Sequence, residues 1–200
     1  MQTNNFQPLR SQRGVTLVEV IVVMLISTML IMVAALGIGV FFRKFKELSA
    51  WAELQKDGWE CLNTIKNGIS VGTANDMEFI GVANAVEIKL MNTIGNTSSG
   101  VEITTPSNST NYPPGRANFY LYQGVVRCTY RHKGRQNGAP IYLFPSEDNV
   151  DRMTVEKFQI TKLNREPNQV LAIQVDLHAR VKTGEKTFKT IRYTTKMVKK

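Results

Sequence analysis

Histidine and cysteine are scarce in this chain of 200 residues, which contains two of each. A structural zinc site takes about four such ligands, and a disulfide-rich scaffold takes several cysteine pairs, so both are excluded. With 42% hydrophobic and 20% charged residues, the composition is that of an ordinary globular protein. We therefore expect one domain, or one domain with an appendage.

Catalytic patterns are also absent. The sequence has no nucleophile elbow, no phosphate-binding glycine loop and no paired His/Cys spacing. His132 lies in a basic stretch, residues 131–135, that is typical of a solvated hairpin end, and His178 alternates with apolar residues on a predicted strand. We therefore expect no catalytic residues, no cofactor and a protein that is not an enzyme.

Acidic residues are outnumbered, with 16 Asp and Glu against 25 Lys and Arg, which gives a net charge of +9. Residues 180–200 concentrate this excess around a single acid, Glu185. Positions an even number apart share a strand face, so two pairs align: Arg180 with Lys182, and Arg192 with Lys196. With Phe188 and Tyr193 interleaved, this stripe could bind single-stranded nucleic acid. A solvated sheet face with a lysine-protected edge is the favoured interpretation.

Charge is missing altogether from residues 20–42. At about 1.5 Å per residue this run spans roughly 34 Å, enough to cross a hydrocarbon core of about 30 Å. It is too long for the apolar part of a signal peptide, and no small-residue cleavage pattern follows it. We expect a membrane-spanning helix, whose orientation the basic residues on both flanks leave undecided.

Glu19 is a lone carboxylate in the apolar stretch that begins at Val15. A charge near the bilayer centre costs about 2.5–3.5 kcal/mol, and intramembrane acids usually have a partner. The alternative is that Glu19 lies at the headgroup level and needs none. Residues 1–14 precede it as a polar leader with two arginines, no acid and a final glycine, Gly14.

The string RGVTLVE at residues 13–19 resembles the processing site of type IV prepilins and pseudopilins. The resemblance implies that a prepilin peptidase cuts after Gly14 and that Val15 becomes the N-methylated N-terminus. It also implies that Glu19 pairs with the N-terminal amine of a neighbouring subunit. Such a pair would neutralise two charges that are each costly in lipid. Val15 departs from the Phe or Met more usual in the family.

Residues 43–70 are polar but keep helical spacing. Their apolar stripe steps by three or four: Leu48, Trp51, Leu54, Gly58, Leu62, Ile65 and Ile69. No proline interrupts residues 15–70, so one helix is predicted to run through both halves and to end near Asn67 and Gly68. The stripe is expected to pack on a globular domain.

The remainder of the chain is predicted to form strands. They are expected at residues 77–80, 85–90 and 101–104, in a hairpin at 118–130 turning at Gly124, at 153–163 and 170–182, and in a last hairpin closing at 182–197. Residues 92–115 are predicted to be a long loop around the strand at 101–104. The predicted fold class is α+β, type IV pilin-like, with the long helix packed against one antiparallel β-sheet. Its parts are the leader 1–14, the transmembrane half-helix 15–42, the amphipathic half-helix 43–70 and a β-rich domain 71–200.

The hairpin FYLYQGVVRCTYR resembles that of the J-type minor pseudopilins of type II secretion and of similar minor pilins. This implies a structural minor subunit that assembles near the tip of a pseudopilus or pilus. Its implied partners are other pilin subunits, the prepilin peptidase and, before assembly, membrane lipid. It would span the bacterial inner membrane once, with the N-terminus cytoplasmic and the C-terminal domain outside. The alternatives are a DNA-binding or adhesive minor pilin of an uptake system, and an uncleaved membrane-anchored β domain.

Two further features are weak candidates for sites. Cys61 and Cys128 could form a disulfide in an oxidising compartment, or remain buried free thiols. The acidic loop at residues 146–151 could hold a hard cation such as calcium through Glu147, Asp148 and Asp151, although its spacing fits no known calcium loop. A solvated turn without metal is the favoured interpretation.

Overall fold

The structure is a computed structural model that describes residues 15–74, 76–107, 111–164, 170–183 and 187–199. The chain divides into two compact units, Met1–Phe45 and Lys46–Lys200. One helix, α1 (Leu17–Asn67), begins in the first unit and ends in the second. The second unit contains all the strands of the described residues, and the α+β class is confirmed.

The strands are short before residue 116 and long after residue 153. Their bounds are β1 Ile69–Val71, β2 Glu78–Ile80, β3 Glu87–Met91, β4 Thr97–Ser98, β5 Gly100–Thr104, β6 Arg116–Tyr122, β7 Val125–His132, β8 Arg135–Gln136, β9 Ile141–Phe144, β10 Met153–Lys162, β11 Ala172–Lys182 and β12 Phe188–Val198. The hairpin β6–β7 turns at Gln123 and Gly124, where both φ angles are positive, as the right-handed twist of the strands requires.

The strands pair antiparallel in three sheets, where the sequence predicted one. β1 pairs with β2, the order β12-β11-β10-β4 forms a four-stranded sheet, and β3-β5-β6-β7-β8 forms a larger sheet in which β9 also pairs with β7. The chain changes from the four-stranded sheet to the larger one between β4 and β5, inside the segment predicted as a loop. Alternation identifies a strand but does not specify its partner, which distant packing decides.

The buried face of α1 packs against the sheets of the second unit. It comprises Ala50, Leu54, Gly58, Cys61, Leu62 and Ile65. Leu48 was predicted to belong to this face, but its side chain is 54% exposed. Gly58 allows β12 to approach, because a Cβ there would lie 3.0 Å from Ile191 Cδ1 and 3.0 Å from Tyr193 Cε2. The hydroxyl of Tyr193 also donates a hydrogen bond to the Gln55 carbonyl, at 3.1 Å.

The helix ends where the sequence predicts. Asn67 is its last residue, and Gly68 has a φ of +102°, a conformation that glycine adopts without strain. The Gly68 N–H donates to the Thr64 carbonyl at 2.8 Å, and a Cβ at Gly68 would lie 2.8 Å from the backbone of Ile80. Glycine is therefore required both by the turn and by the close approach of the end of β2.

Candidate processing and assembly site

The N-terminal segment begins the described chain at Val15, the predicted methylation position. Its side chain is 73% exposed. Gly14, the predicted cleavage position, and the rest of the leader lie outside the described residues. Because α1 begins at Leu17, Val15 and Thr16 form a short non-helical lead into the helix.

Thr16 and Glu19 form a reciprocal cap at the start of α1. The Thr16 backbone N–H donates to Glu19 Oε2 at 2.8 Å, and the Thr16 hydroxyl donates to the same oxygen at 3.1 Å. In return, the Glu19 N–H donates to Thr16 Oγ1 at 3.3 Å. This is a capping box, which satisfies backbone donors that a helix start leaves open. A carboxylate in the first turn is also favoured by the helix dipole.

The apolar part of α1 is exposed in the part of the chain that the structure describes. The large hydrophobic side chains of residues 20–42 are between 41% and 68% exposed, and the helix is long and apolar enough to cross a membrane. The one side-chain hydrogen bond described in this part of the helix is made to the helix's own backbone: the Thr28 hydroxyl donates to the Leu25 carbonyl at 2.9 Å. A Cβ added at Gly37 or Gly39 would meet no other described part of the chain within 4 Å, so no contact among the described residues requires glycine at either position. Exposed apolar surface of this size is typical of a segment that lipid or another chain covers.

The two cysteines are brought into one hydrophobic cluster. Cys61 lies on α1 and Cys128 on β7; both are buried and both are free thiols. Burial raises the pKa of Cys128 to about 12. Burial, and then the nearby Cys128, raise the pKa of Cys61 above its usual range. Such thiols react poorly, because the thiolate is the reactive form.

The acidic loop folds into a 3-10 turn at Glu147–Asn149. Asn149 is buried, and its Nδ2 donates to Glu53 Oε1 on α1 and to Ser146 Oγ, each at 3.0 Å. Burial, followed by repulsion from Glu53 and Glu60, raises the pKa of Asp57 beside it. Within the described residues, no three His, Cys, Asp or Glu side chains form a group that could hold a metal ion. The turn is thus anchored to the helix through the amide of Asn149.

His132 lies at a hairpin end, as the sequence predicts, because it pairs with Arg135 across the turn between β7 and β8, but its side chain is mostly buried rather than solvated. Its Nδ1 lies 3.2 Å from Glu78 Oε2 and its Nε2 lies 3.7 Å from Asp76 Oδ2. The pKa of the Asp76 carboxyl lies well below its usual range, because the carboxylate accepts hydrogen bonds from the Lys133 ammonium and from the Thr73 hydroxyl and backbone N–H. These groups join the end of β7 to the start of β2 and to the residues just before it. More than 50 positions separate them along the chain, so no local pattern could have identified the cluster.

The basic side chains predicted as a stripe within residues 180–200 share one face, whereas Tyr193 lies on the other. Arg180, Lys182, Arg192 and Lys196 are all exposed on the outer face of the four-stranded sheet. Arg180, however, pairs with Glu156 at 3.2 Å and lies over the ring of Phe188, 5.1 Å from its centroid. Tyr193 points the other way, toward α1, and is not available for stacking with a base. Glu185 lies outside the described residues.

Comparison with known proteins gives one match. Residues 9–35 match the family model described as the prokaryotic N-terminal methylation motif. The matched segment contains Gly14, Val15, the Thr16–Glu19 cap and the first part of the apolar helix. No curated protein and no solved structure gives a significant match to the chain.

Proposed function

We propose that this chain, a type IV pilin-like prepilin or pseudopilin by its N-terminal methylation motif, is a structural minor subunit that assembles into a filament of similar subunits. The observation that carries the proposal is the register of three features: the motif at residues 9–35, the cap at Thr16 and Glu19, and the uncovered apolar helix that follows. A signal sequence that is removed whole would need no such cap. A minor subunit of this kind carries out no reaction of its own.

Processing is the first step of the proposed mechanism. The leader holds the precursor in the bacterial inner membrane with its N-terminus in the cytoplasm and the β-rich domain outside. A prepilin peptidase hydrolyses the bond between Gly14 and Val15, and the new amine of Val15 receives a methyl group. Val15 and Thr16 precede the first helical residue, so the proposed new N-terminus lies outside the helix.

Assembly is a change of environment for the apolar helix. Its exposed side chains are covered by lipid before assembly and by the helices of other subunits afterwards, with closer packing favoured at Gly37 and Gly39. Glu19 would then meet the amine of a neighbour. Both hydrogen bonds that the Glu19 carboxylate accepts from Thr16 use Oε2, so Oε1 can accept a neighbour's N–H without loss of the cap. Pairing would offset the cost of burying both charges and would set the axial register.

The finer assignment is to a J-type minor pseudopilin or a similar minor pilin placed near the filament tip. The aromatic hairpin that suggests it is formed by β6 and β7. A DNA-binding or adhesive minor pilin is the second candidate, favoured by the basic side chains exposed on β11 and β12. An uncleaved anchored β domain is the third.

The assembly step is tested by Glu19→Gln in cells that contain the chain's own filament system. Glu60→Gln, the same change at an exposed position of the same helix, is the matched control. We expect both variants to be cleaved at the leader and only Glu19→Gln to be depleted several-fold from sheared filaments. Recovery of Glu19→Gln in filaments at the wild-type level would refute the role of the carboxylate. Failure of both variants and the wild type to be cleaved would favour the anchored β domain.

A further inference from the structure

The outer surface of the larger sheet carries an unusual set of side chains. Along β6, Ala117 and Phe119 point inward and are fully buried, whereas the alternate residues point outward and are exposed or half-buried. The same alternation on β7 and the pairing of β9 place further residues on this surface. We call it the tyrosine–arginine face, and it is formed by Arg116, Asn118, Tyr120, Tyr122, Arg127, Arg131 and Tyr142.

The tyrosines are arranged around one guanidinium. Tyr120, Arg127 and Tyr142 are directly opposite one another on β6, β7 and β9. Arg127 Cζ lies 4.9 Å from the Tyr122 ring centroid and 4.5 Å from that of Tyr142, and Arg127 Nη2 donates to the Tyr142 hydroxyl at 3.1 Å. These contacts fix the rings before any ligand binds, which lowers the entropy that binding must offset.

Two polar atoms on this face have no hydrogen-bond partner. Asn118 Oδ1 and Arg127 Nε are both buried, and neither is paired with any described residue. Buried polar groups are nearly always paired, so each exception calls for an explanation such as an absent ligand. Asn118 also lines a cavity of about 130 Å³ together with Arg116 and Arg131. Asn118 therefore borders a small recess that two arginines and one acid, Glu102, also line.

The charge of the face selects the kind of ligand. Lys89, Arg116 and Arg131 are exposed on the outward side of the sheet. Two acids lie on the same side, Glu102 at 3.9 Å from Arg116 and the exposed Glu87 two residues before Lys89. Together with Arg127, the basic groups still outnumber them by four to two. A second copy of this chain would meet like charge, whereas a polyanion would be attracted.

We propose that the tyrosine–arginine face binds single-stranded nucleic acid. Strands lie about 4.8 Å apart and alternate residues about 7 Å apart along a strand, so the three rings offer neighbouring platforms on which unpaired bases can stack. Flat sheets with outward aromatic residues bind two or three bases in this way, while basic side chains contact the phosphates. Asn118 is placed to accept a hydrogen bond from a base edge. Duplex DNA has no free base faces and does not fit. The inference goes beyond the proposed function and does not depend on filament assembly.

The test uses the full chain in neutral detergent micelles and a fluorescent oligothymidylate of about 20 nucleotides, with binding followed by anisotropy. Tyr122→Ala is compared with Tyr112→Ala, because both tyrosines are 49% exposed and only Tyr122 is on the face. We expect Tyr122→Ala to weaken binding about 5- to 150-fold, Tyr122→Phe to retain it and Tyr112→Ala to leave it unchanged. The retained binding of Tyr122→Phe separates loss of stacking from loss of fold.

A second pair of variants tests the phosphate contacts. We expect Arg131→Ala to reduce the slope of log affinity against log salt by about 0.7, and Arg192→Ala on the other sheet to leave it unchanged. Equal effects of the two variants would move the site to the C-terminal stripe and overturn the proposal. It would also be overturned by absence of wild-type binding, by equal affinity for a duplex, or by preference for polyglutamate, which would indicate an acidic protein partner.

Discussion

Replacing Leu54 by alanine tests whether α1 is held to the globular domain by its buried face. Leu54 is fully buried, and the change removes three carbon atoms from the core. Each buried carbon contributes about 0.8 kcal/mol of transfer free energy, and the cavity left behind adds to the loss. We expect the free energy of unfolding of the Lys46–Lys200 unit to fall by about 3 kcal/mol. Leu48→Ala, on the same helix and in the stripe predicted from the sequence, should change it by less than about 0.5 kcal/mol, because Leu48 is exposed.

The assay is urea unfolding of the full chain in detergent micelles, followed by near-UV circular dichroism. For an m value of about 2 kcal/mol per molar, Leu54→Ala should lower the midpoint by about 1.5 M and Leu48→Ala by less than about 0.3 M. Equal shifts for the two variants would mean that Leu48 is buried as well as Leu54, as the sequence predicted. That result would refute the exposure of Leu48 in the structure. A negligible shift for Leu54→Ala would mean that the helix is not part of the core.

Three further predictions concern the β domain. Gly58→Val should destabilise it by about 1–3 kcal/mol in the same assay, because the added atoms collide with side chains of β12. The pKa of Asp76 is lowered in the folded state, so the ionised carboxylate stabilises the fold above about pH 4 and this contribution is lost as pH falls further. The Asp76→Asn variant should therefore lose less stability than the wild type on acidification. Cys61 and Cys128 should react with a thiolate-specific reagent at about pH 8 far more slowly in the folded than in the unfolded chain.

Each of these predictions has a distinct contrary result. Gly58→Val with an unchanged midpoint would mean that β12 does not approach the helix. If the free energy of unfolding of wild type and Asp76→Asn changed with the same slope below about pH 4, the Asp76–Lys133 contact would not stabilise the fold. Absence of thiols from the unfolded, unreduced chain would show that the two cysteines form a disulfide.

The N-terminal features were predictable because each depends on neighbouring residues. Every residue of the apolar run favours a lipid-like environment. The Thr16–Glu19 cap joins two residues that are three positions apart in the sequence. The end of α1 at Asn67 was also visible, because Gly68 is the residue type that a left-handed turn favours. The strands of the two C-terminal hairpins followed from alternation and turn residues within a few positions of each other.

The rest depends on partners that are distant along the chain. Leu48 and Leu54 have the same helical spacing, and only the placement of the sheets decides which of them is covered. Tyr193 and Arg192 are adjacent on β12, but one faces α1 and the other faces solvent. The acidic neighbours of His132 come from the start of β2 and the residues just before it. The tyrosines around Arg127 come from two other strands. No window along the sequence contains these contacts.

Processing as a prepilin can be read from the mass of the N-terminal peptide of the protein purified from its native membrane. We expect a peptide that begins at Val15 and is one methyl group heavier than its sequence. A peptide that begins at Met1, in cells with an active prepilin peptidase, would contradict it and leave a membrane-anchored β domain.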